Sequence, residues 1–138
     1  MIEKLKIENL DVVLEILKQD MLKYCDGNYP EKNWVGHFIT DDNNCFAFGL
    51  YENNELISVL LSEKLSYNGC IIWYIATNFN KQRCGYGSTL LNYFELYIKQ
   101  LGIEWVFLNA TDNSLQFYSK HNFITSKFSK VYEHVKDL

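Results

Sequence analysis

The chain has a single proline, Pro30, in 138 residues, and no linker rich in Pro, Gly or Ser, no repeat and no low-complexity tract. Nothing marks a domain boundary, so one domain spanning residues 1–138 is expected. Apolar runs are short. None approaches the roughly 20 residues that a membrane-spanning helix needs, and the opening MIEKLKIENL has no long apolar core of the secretory type. A soluble, unprocessed, cytoplasmic protein with no membrane partner is expected. Basic charge is scarce, with 13 Lys and Arg against 17 Asp and Glu and a net charge of -4. A nucleic-acid binder needs a broad basic face to displace phosphate counterions, so no nucleic-acid partner is expected and any anion has to be captured locally. Cys25, Cys45, Cys70 and Cys84 form no C-x-x-C pair and have no histidines at matching spacing. Reduced thiols follow, rather than disulfides or structural zinc. His37, His121 and His134 show no ligand spacing either, and no metal is expected.

Apolar and aromatic residues are abundant, at 48% and 16% of the chain, enough for one substantial core. IEKLKI, residues 2–7, alternates as a strand does. The following NLDVVLEILKQDMLKY places Leu10, Val13, Leu14, Leu17 and Met21 on one helical face, with Asn9 as its N-cap. EKNWVGHFI reads as a short second helix, and NCFAFGLYENNELISVLLSEKL as two strands joined by an asparagine-rich turn at Glu52 to Glu55. CIIWYIAT is too apolar to have a wet face, STLLNYFELYIKQL is a helix ended by Gly102, and EWVFLNA is another buried strand. NSLQFYSKHN gives a short helix capped by Asn113, and the tail FITSKFSKVYEHVKDL closes with one or two strands. The expectation is an α/β fold with a mixed central sheet flanked by helices, in the order β-α-α-β-β-β-α-β-α-β-β.

The corner between the first buried strand and its helix, NKQRCGYGSTLL, carries two basic residues and two close glycines in an acidic chain. A glycine-rich turn that delivers a strand to a helix N-terminus exposes unpaired backbone N–H groups and the positive end of the helix dipole, which together suit a pyrophosphate. A P-loop would need a lysine between its second glycine and the Ser/Thr, but Ser88 follows Gly87 directly. The dinucleotide fingerprint would need a small residue where Leu90 stands, and a strand near the domain start. An isolated G-x-G that merely shapes a turn is the plain alternative. The remaining pattern, Gln82-x-x-Gly85-x-Gly87, resembles motif A of the GNAT superfamily of N-acetyltransferases. TDNSLQFYSKHNF resembles that superfamily's motif B, with Tyr118 and Phe123 at its aromatic positions. There are departures: Arg83 stands for a glycine of motif A, Thr111 for the motif B asparagine, Ser114 for its alanine and Asn122 for its last glycine. Asn113 can cap the helix in place of the missing asparagine, and Asn122 tolerates the left-handed backbone that glycine would supply.

The resemblance implies an enzyme with acetyl-CoA as cosubstrate, transferring acetyl to a primary amine of a small molecule or peptide by direct attack in a ternary complex. Carried over residue by residue, Ile75, Ala76 and Thr77 lie along the pantetheine arm and nearest the thioester. The backbone of Gln82, Arg83, Cys84, Gly85, Tyr86, Gly87 and Ser88 holds the pyrophosphate, Asn113 takes over the motif B asparagine's role in binding the cofactor, and Tyr118 is the catalytic residue that protonates or hydrogen-bonds the departing thiolate. Lys81 and Arg83 either add charge beside the phosphates or form a solvated loop face, and Cys84 reads as a spacer. The acceptor region falls at Tyr24 to Phe38 and Phe128 to His134, where Asp26, Glu31, Trp34 and His37 either recognise a cationic amine or form a polar surface. No carboxylate lies on CIIWYIAT to serve as base; Glu63, on the preceding strand, is a candidate or a surface residue. The missing base keeps a second reading open, a non-catalytic module that binds acyl-CoA as a signal. The acceptor, the acyl chain length and the oligomeric state, a homodimer included, are not fixed by the sequence.

Overall fold

The computed structural model describes residues 1–24, 30–40, 44–82, 84–110, 114–125 and 133–138. The elements run β1 (Ile2–Lys4), α1 (Leu10–Tyr24), α2 (Lys32–Thr40), β2 (Cys45–Glu52), β3 (Glu55–Lys64), β4 (Gly69–Thr77), α3 (Tyr86–Gln100), β5 (Trp105–Leu108), α4 (Leu115–Lys120), β6 (Ile124–Thr125) and β7 (His134–Asp137). This is the order expected from the sequence. The strands form one seven-stranded sheet, β1-β2-β3-β4-β5-β7-β6, in which only β4 and β5 run parallel. Among the described residues no helix is long and apolar enough to cross a membrane.

Alternation along the central strands sorts the side chains onto two faces. Cys45 and Ala47 of β2, with Val59 and Leu61 of β3, meet Val13, Leu14, Ile16 and Leu17 of α1 and Val35 and Phe38 of α2. Phe46, Phe48 and Leu50 of β2 point the other way, to Leu90, Leu91, Phe94 and Ile98 of α3 and Tyr118 of α4. Both faces are covered, which explains why β2 and β3 are continuous apolar runs instead of half-polar strands. The β2–β3 hairpin closes through Asn53 and Asn54, both at positive φ (53° and 64°), the backbone that a two-residue turn of matching twist requires and that asparagine tolerates.

Local corrections have physical causes. The first strand stops at Lys4, because Ile7 to Asn9 wind into a 3₁₀ turn whose Asn9 Oδ1 accepts a hydrogen bond from Lys6 N at 2.9 Å. Asn9 therefore caps that turn and not α1. The third helix begins at Tyr86, two residues earlier than its periodicity suggests, with Gly85 as N-cap at φ 81°. The fourth helix has Ser114 at its N-cap; Asn113 lies outside the described residues.

Candidate active site

The β4 strand makes the site. It pairs with β3 along its length, from Cys70 opposite Lys64 to Thr77 opposite Ser58, but with β5 only over Gly69 to Ile71. Where that pairing ends, the register on β3 slips: Ser62 faces Ile72 and Leu61 faces Tyr74, so Trp73 is an extra residue in β4. Such a bulge bends its strand and increases local twist. Beyond it β4 leaves β5, whose Leu108 has no partner on β4 and is paired on its other edge with His134 of β7. The result is a notch between parallel strands, walled on one side by the backbone edge of Trp73 to Thr77. An unpaired strand edge presents a row of N–H and C=O groups that an amide-bearing arm can match.

At the outer end of the notch, Asn78 to Gly85 lead into α3. Gln82 Nε2 donates to Thr77 O at 3.3 Å, tying the loop to the strand end. Asn78 Oδ1 accepts from Asn80 N at 3.1 Å and braces the turn. The first bond of α3 runs from Thr89 N to Gly85 O at 3.0 Å, leaving the N–H groups of Tyr86, Gly87 and Ser88 ahead of it without an intrahelical partner. A Cβ on Gly87 would sit 3.7 Å from Phe117 Cζ and 3.8 Å from Thr77 Oγ1, ordinary contacts, so internal packing does not demand glycine there. A ligand approaching those N–H groups would.

The other expected cofactor contacts are arranged as follows. Ile75 and Thr77 are half-buried, while Ala76 is buried against the α1 and α2 side. Thr77 Oγ1 lies 3.0 Å from Ser58 Oγ, and that serine donates to Ala76 O at 3.0 Å. Cys84 is exposed and its thiol turns back to Gln82 O at 3.6 Å. The Tyr86 hydroxyl donates to the Glu52 carboxylate at the end of β2, which raises its pKa and directs the ring away from the notch. Ser88 Oγ meets Nε2 of His121, the residue that caps the end of α4, at 2.9 Å, a link that sequence reasoning missed. Burial holds His121 below its ordinary pKa. Arg83, Asn113, Thr111 and Asp26 lie outside the described residues.

Tyr118 is buried beneath this corner, its ring edge-on to Phe117 at 5.1 Å and Phe123 at 5.5 Å. Asn122 just after the helix has φ 71°, the left-handed turn that brings Phe123 back into the core. Burial, and after it the Asp20 carboxylate, push the Tyr118 phenol well above its ordinary range. Cys70, in the same core, is pushed up to about 12 by burial and is inert as a nucleophile.

On the opposite face of β4 the bulge presents Trp73, which the sequence did not single out, beside Trp34, which it did. Trp73 and Trp34 of α2 are each more than a third exposed and pack edge to face at 5.6 Å, and Trp34 Nε1 donates to the Tyr74 hydroxyl at 3.1 Å. Glu63 Oε1 accepts from Trp73 Nε1 at 3.2 Å. The expected acceptor residues Trp34 and His37 are therefore brought beside the notch, while Glu31 stays exposed at the start of α2. A shallow hollow of about 530 Å³ borders the head of α3, between Tyr51, Glu52, Cys84, Tyr86 and Tyr93, and none of its lining residues belongs to β4 or β5.

Comparison with known proteins bears on this geometry. No curated protein matches the sequence. Solved structures do match the fold along the whole chain. A GNAT-family acetyltransferase from Staphylococcus aureus Mu50 superposes with a TM-score of 0.85 at 14% identity, over 100% of this chain and 98% of its own. The PaiA N-acetyltransferase of Thermoplasma acidophilum, solved with coenzyme A, gives 0.79 at 18% identity, over 100% and 98%. The ribosomal-protein-S18-alanine N-acetyltransferase of Escherichia coli gives 0.77 at 13% identity, over 99% and 89%. Acetyl-CoA is the cosubstrate of these enzymes' family, and the reaction needs no metal. The sequence pattern of that family matches residues 10–123, from the first helix through the phenylalanine after α4, and this chain therefore belongs to the acetyltransferase (GNAT) family.

Proposed function

We propose that the protein moves the acetyl group of acetyl-CoA to a primary amine of a small molecule or peptide, by direct attack while both substrates are bound. The observation that carries this reading is the parting of β4 from β5 at the Trp73 bulge, with the unpartnered N–H groups of Tyr86 to Ser88 at one end of the same notch. In this reading the pyrophosphate lies on those N–H groups, the pantetheine arm extends along Ile75 to Thr77, and the thioester reaches the bulge. The acceptor approaches from the side of Trp34 and Trp73. Aromatic faces favour a cationic amine on arrival and desolvate it afterwards, which lowers the pKa of an amine that starts near 10.4.

The neutral nitrogen then attacks the carbonyl carbon. The tetrahedral intermediate collapses with loss of the coenzyme A thiolate, and the amine proton leaves to water. Tyr118 assists the departure as a hydrogen-bond donor. Full proton transfer is disfavoured, because a phenol ordinarily near 10 is already a weaker acid than a thiol near 8.5, and burial weakens it further. Glu63 is held by Trp73 and His37 and receives no proton-transfer role.

The alternative reading, a non-catalytic acyl-CoA-binding module, is favoured by one feature, the lack of any carboxylate on β4. Following thiol release from acetyl-CoA against a panel of amines, peptides and polyamines separates the two. Turnover with at least one amine supports the enzyme. Tight coenzyme A binding with no turnover across the panel supports the module.

A further inference from the structure

His37 of α2, Cys45 at the start of β2 and Glu63 near the end of β3 converge on one point. Cys45 Sγ lies 3.7 Å from His37 Nε2, His37 Nε2 lies 3.7 Å from Glu63 Oε2, and the three ligand atoms all fall within 4.8 Å of one another. Zinc bonds of about 2.0–2.3 Å at tetrahedral angles put ligand atoms roughly 3.3–3.6 Å apart. Two of the three separations are thus within a few tenths of an ångström of that value. A small rotation of the Glu63 carboxyl brings in the third.

The surroundings hold these groups in place. Glu63 Oε1, the oxygen turned away from the cluster, accepts from Trp73 Nε1 at 3.2 Å, the kind of outer hydrogen bond that orients a ligating carboxylate. Trp34 stacks nearly parallel to the His37 ring, at 13° and 5.8 Å, and Phe38 meets the ring edge at 5.4 Å. The ring plane is thereby fixed with Nε2 directed at the thiol. Cys45 is buried beneath, while the side chains of His37 and Glu63 are 39% and 29% exposed, which leaves a path for an ion. A thiolate, a neutral imidazole and a carboxylate together carry two negative charges, matching a divalent cation. The soft sulfur selects a zinc-class ion over magnesium or calcium.

We propose that His37, Cys45 and Glu63 bind one divalent transition-metal ion of the zinc class, tying α2 to β2 and β3. With three protein ligands the fourth position is left to water or to a group entering beside Trp73. Acetyl transfer does not require the ion, and the proposal stands independently of that reaction. The thiol proton is released on loading, so affinity rises with pH.

The test uses the full chain, reduced and stripped of metal, titrated with Co²⁺. The expected result is one equivalent bound, with a thiolate-to-cobalt charge-transfer band in the near ultraviolet that Zn²⁺ abolishes by displacement, and a rise in melting temperature with Zn²⁺. Cys45→Ala should lose the band, whereas Cys84→Ser should keep it. Glu63→Gln and His37→Gln should each weaken binding by more than about 100-fold, and Trp73→Phe, which removes the outer hydrogen bond together with part of the ring packed on Trp34, by about 10–100-fold. Circular dichroism of each metal-free variant checks folding. Should Cys45→Ala fail to fold, the nearly isosteric Glu63→Gln carries the same decision. No charge-transfer band in the folded wild type, a band that survives Cys45→Ala, or one lost in Cys84→Ser would overturn the proposal.

Discussion

The two glycines at the head of α3 should respond to alanine with opposite signs. Gly85 has φ 81°, and nothing lies within 4 Å of the Cβ it lacks. Gly85→Ala therefore causes no clash, only left-handed backbone strain of about 1–2 kcal/mol. Unfolding entropy of about 2.1 cal/mol/K per residue over this length makes 1 kcal/mol worth roughly 3–4 °C. The free protein should thus lose about 3–7 °C. Gly87 is inside the helix at ordinary φ, with room for a methyl group. Gly87→Ala should leave the free protein unchanged or raise its melting temperature by up to ~3 °C, since alanine is favoured over glycine in helices by up to ~1 kcal/mol. Coenzyme A reverses the ranking. At 100 times its Kd the ligand stabilises the native state by about 2.7 kcal/mol, near 9 °C on the same scale. A methyl group over the N–H cradle displaces the pyrophosphate from two charge-assisted hydrogen bonds, each worth about 1.5–3 kcal/mol, so affinity should fall by about 100-fold or more. At that ligand concentration the shift shrinks to roughly 1–2 °C. Differential scanning fluorimetry of both variants, with and without coenzyme A, reads all four numbers. An undiminished coenzyme A shift in Gly87→Ala would show that the pyrophosphate does not rest on this helix end.

Other expectations follow from the same geometry. Tyr118→Phe keeps the buried ring and removes the hydroxyl, so kcat should drop by about 10–10²-fold, the worth of one hydrogen bond to a charged group, at unchanged coenzyme A affinity; full turnover in steady-state assays would return Tyr118 to the core alone. Lys136 Nζ bonds both Glu95 oxygens, at 2.9 and 2.7 Å, with both side chains largely buried. Lys136→Met should therefore destabilise by about 3–5 kcal/mol in urea melts, and a Glu95→Leu second change should recover most of that loss, because the orphaned charge and not the missing pair is the larger cost. His121 has a lowered folded pKa, so between that value and its unfolded value near 6.5 the unfolded chain binds the extra proton and stability falls as pH drops. Below the folded value that contribution is constant. His121→Gln should flatten this segment of the melting curve against pH, and an unchanged slope would count against the assignment. With an active acceptor in hand, Asp26→Asn with Glu31→Gln should raise its KM and leave coenzyme A binding alone.

Much of the fold was readable because it rests on local chemistry. Leu10, Val13, Leu14 and Leu17 fall on one stripe, Asn53 and Asn54 suit a tight hairpin, and Gly85 and Gly102 stand where φ is positive. Asn9 misled because a good cap serves whichever turn reaches it first. The bulge was invisible: Trp73 is one aromatic in an apolar run, and only the pairing with β3 shows that it has no partner. For the same reason the link between Ser88 and His121, 33 positions apart, and the convergence of His37, Cys45 and Glu63 had no signature in spacing. Each joins elements that the sheet, and not the sequence, makes neighbours. The glycine loop was readable because its ligand-facing chemistry is backbone, contiguous and marked by the residues it excludes.

The inserted residue in β4 also bears on how this cleft tolerates sequence change. Upstream of Trp73, Cys70 and Ile72 face the α3 side; downstream, Ile75 takes that side while Tyr74 and Ala76 turn to α1 and α2. Removing Trp73 as a codon deletion would restore unbroken alternation. Ile72 and Tyr74 would then be neighbours opposite Ser62 and Leu61, and Tyr74, Ile75 and Ala76 would keep both their layers and their partners on β3, while the bend and extra twist that part β4 from β5 would be lost. Point substitutions at Trp73 leave that arithmetic intact. The deletion should thus spare the core and close the notch, whereas many residue types at the position keep the bend, so that the cleft is inherited as a count of residues more than as an identity.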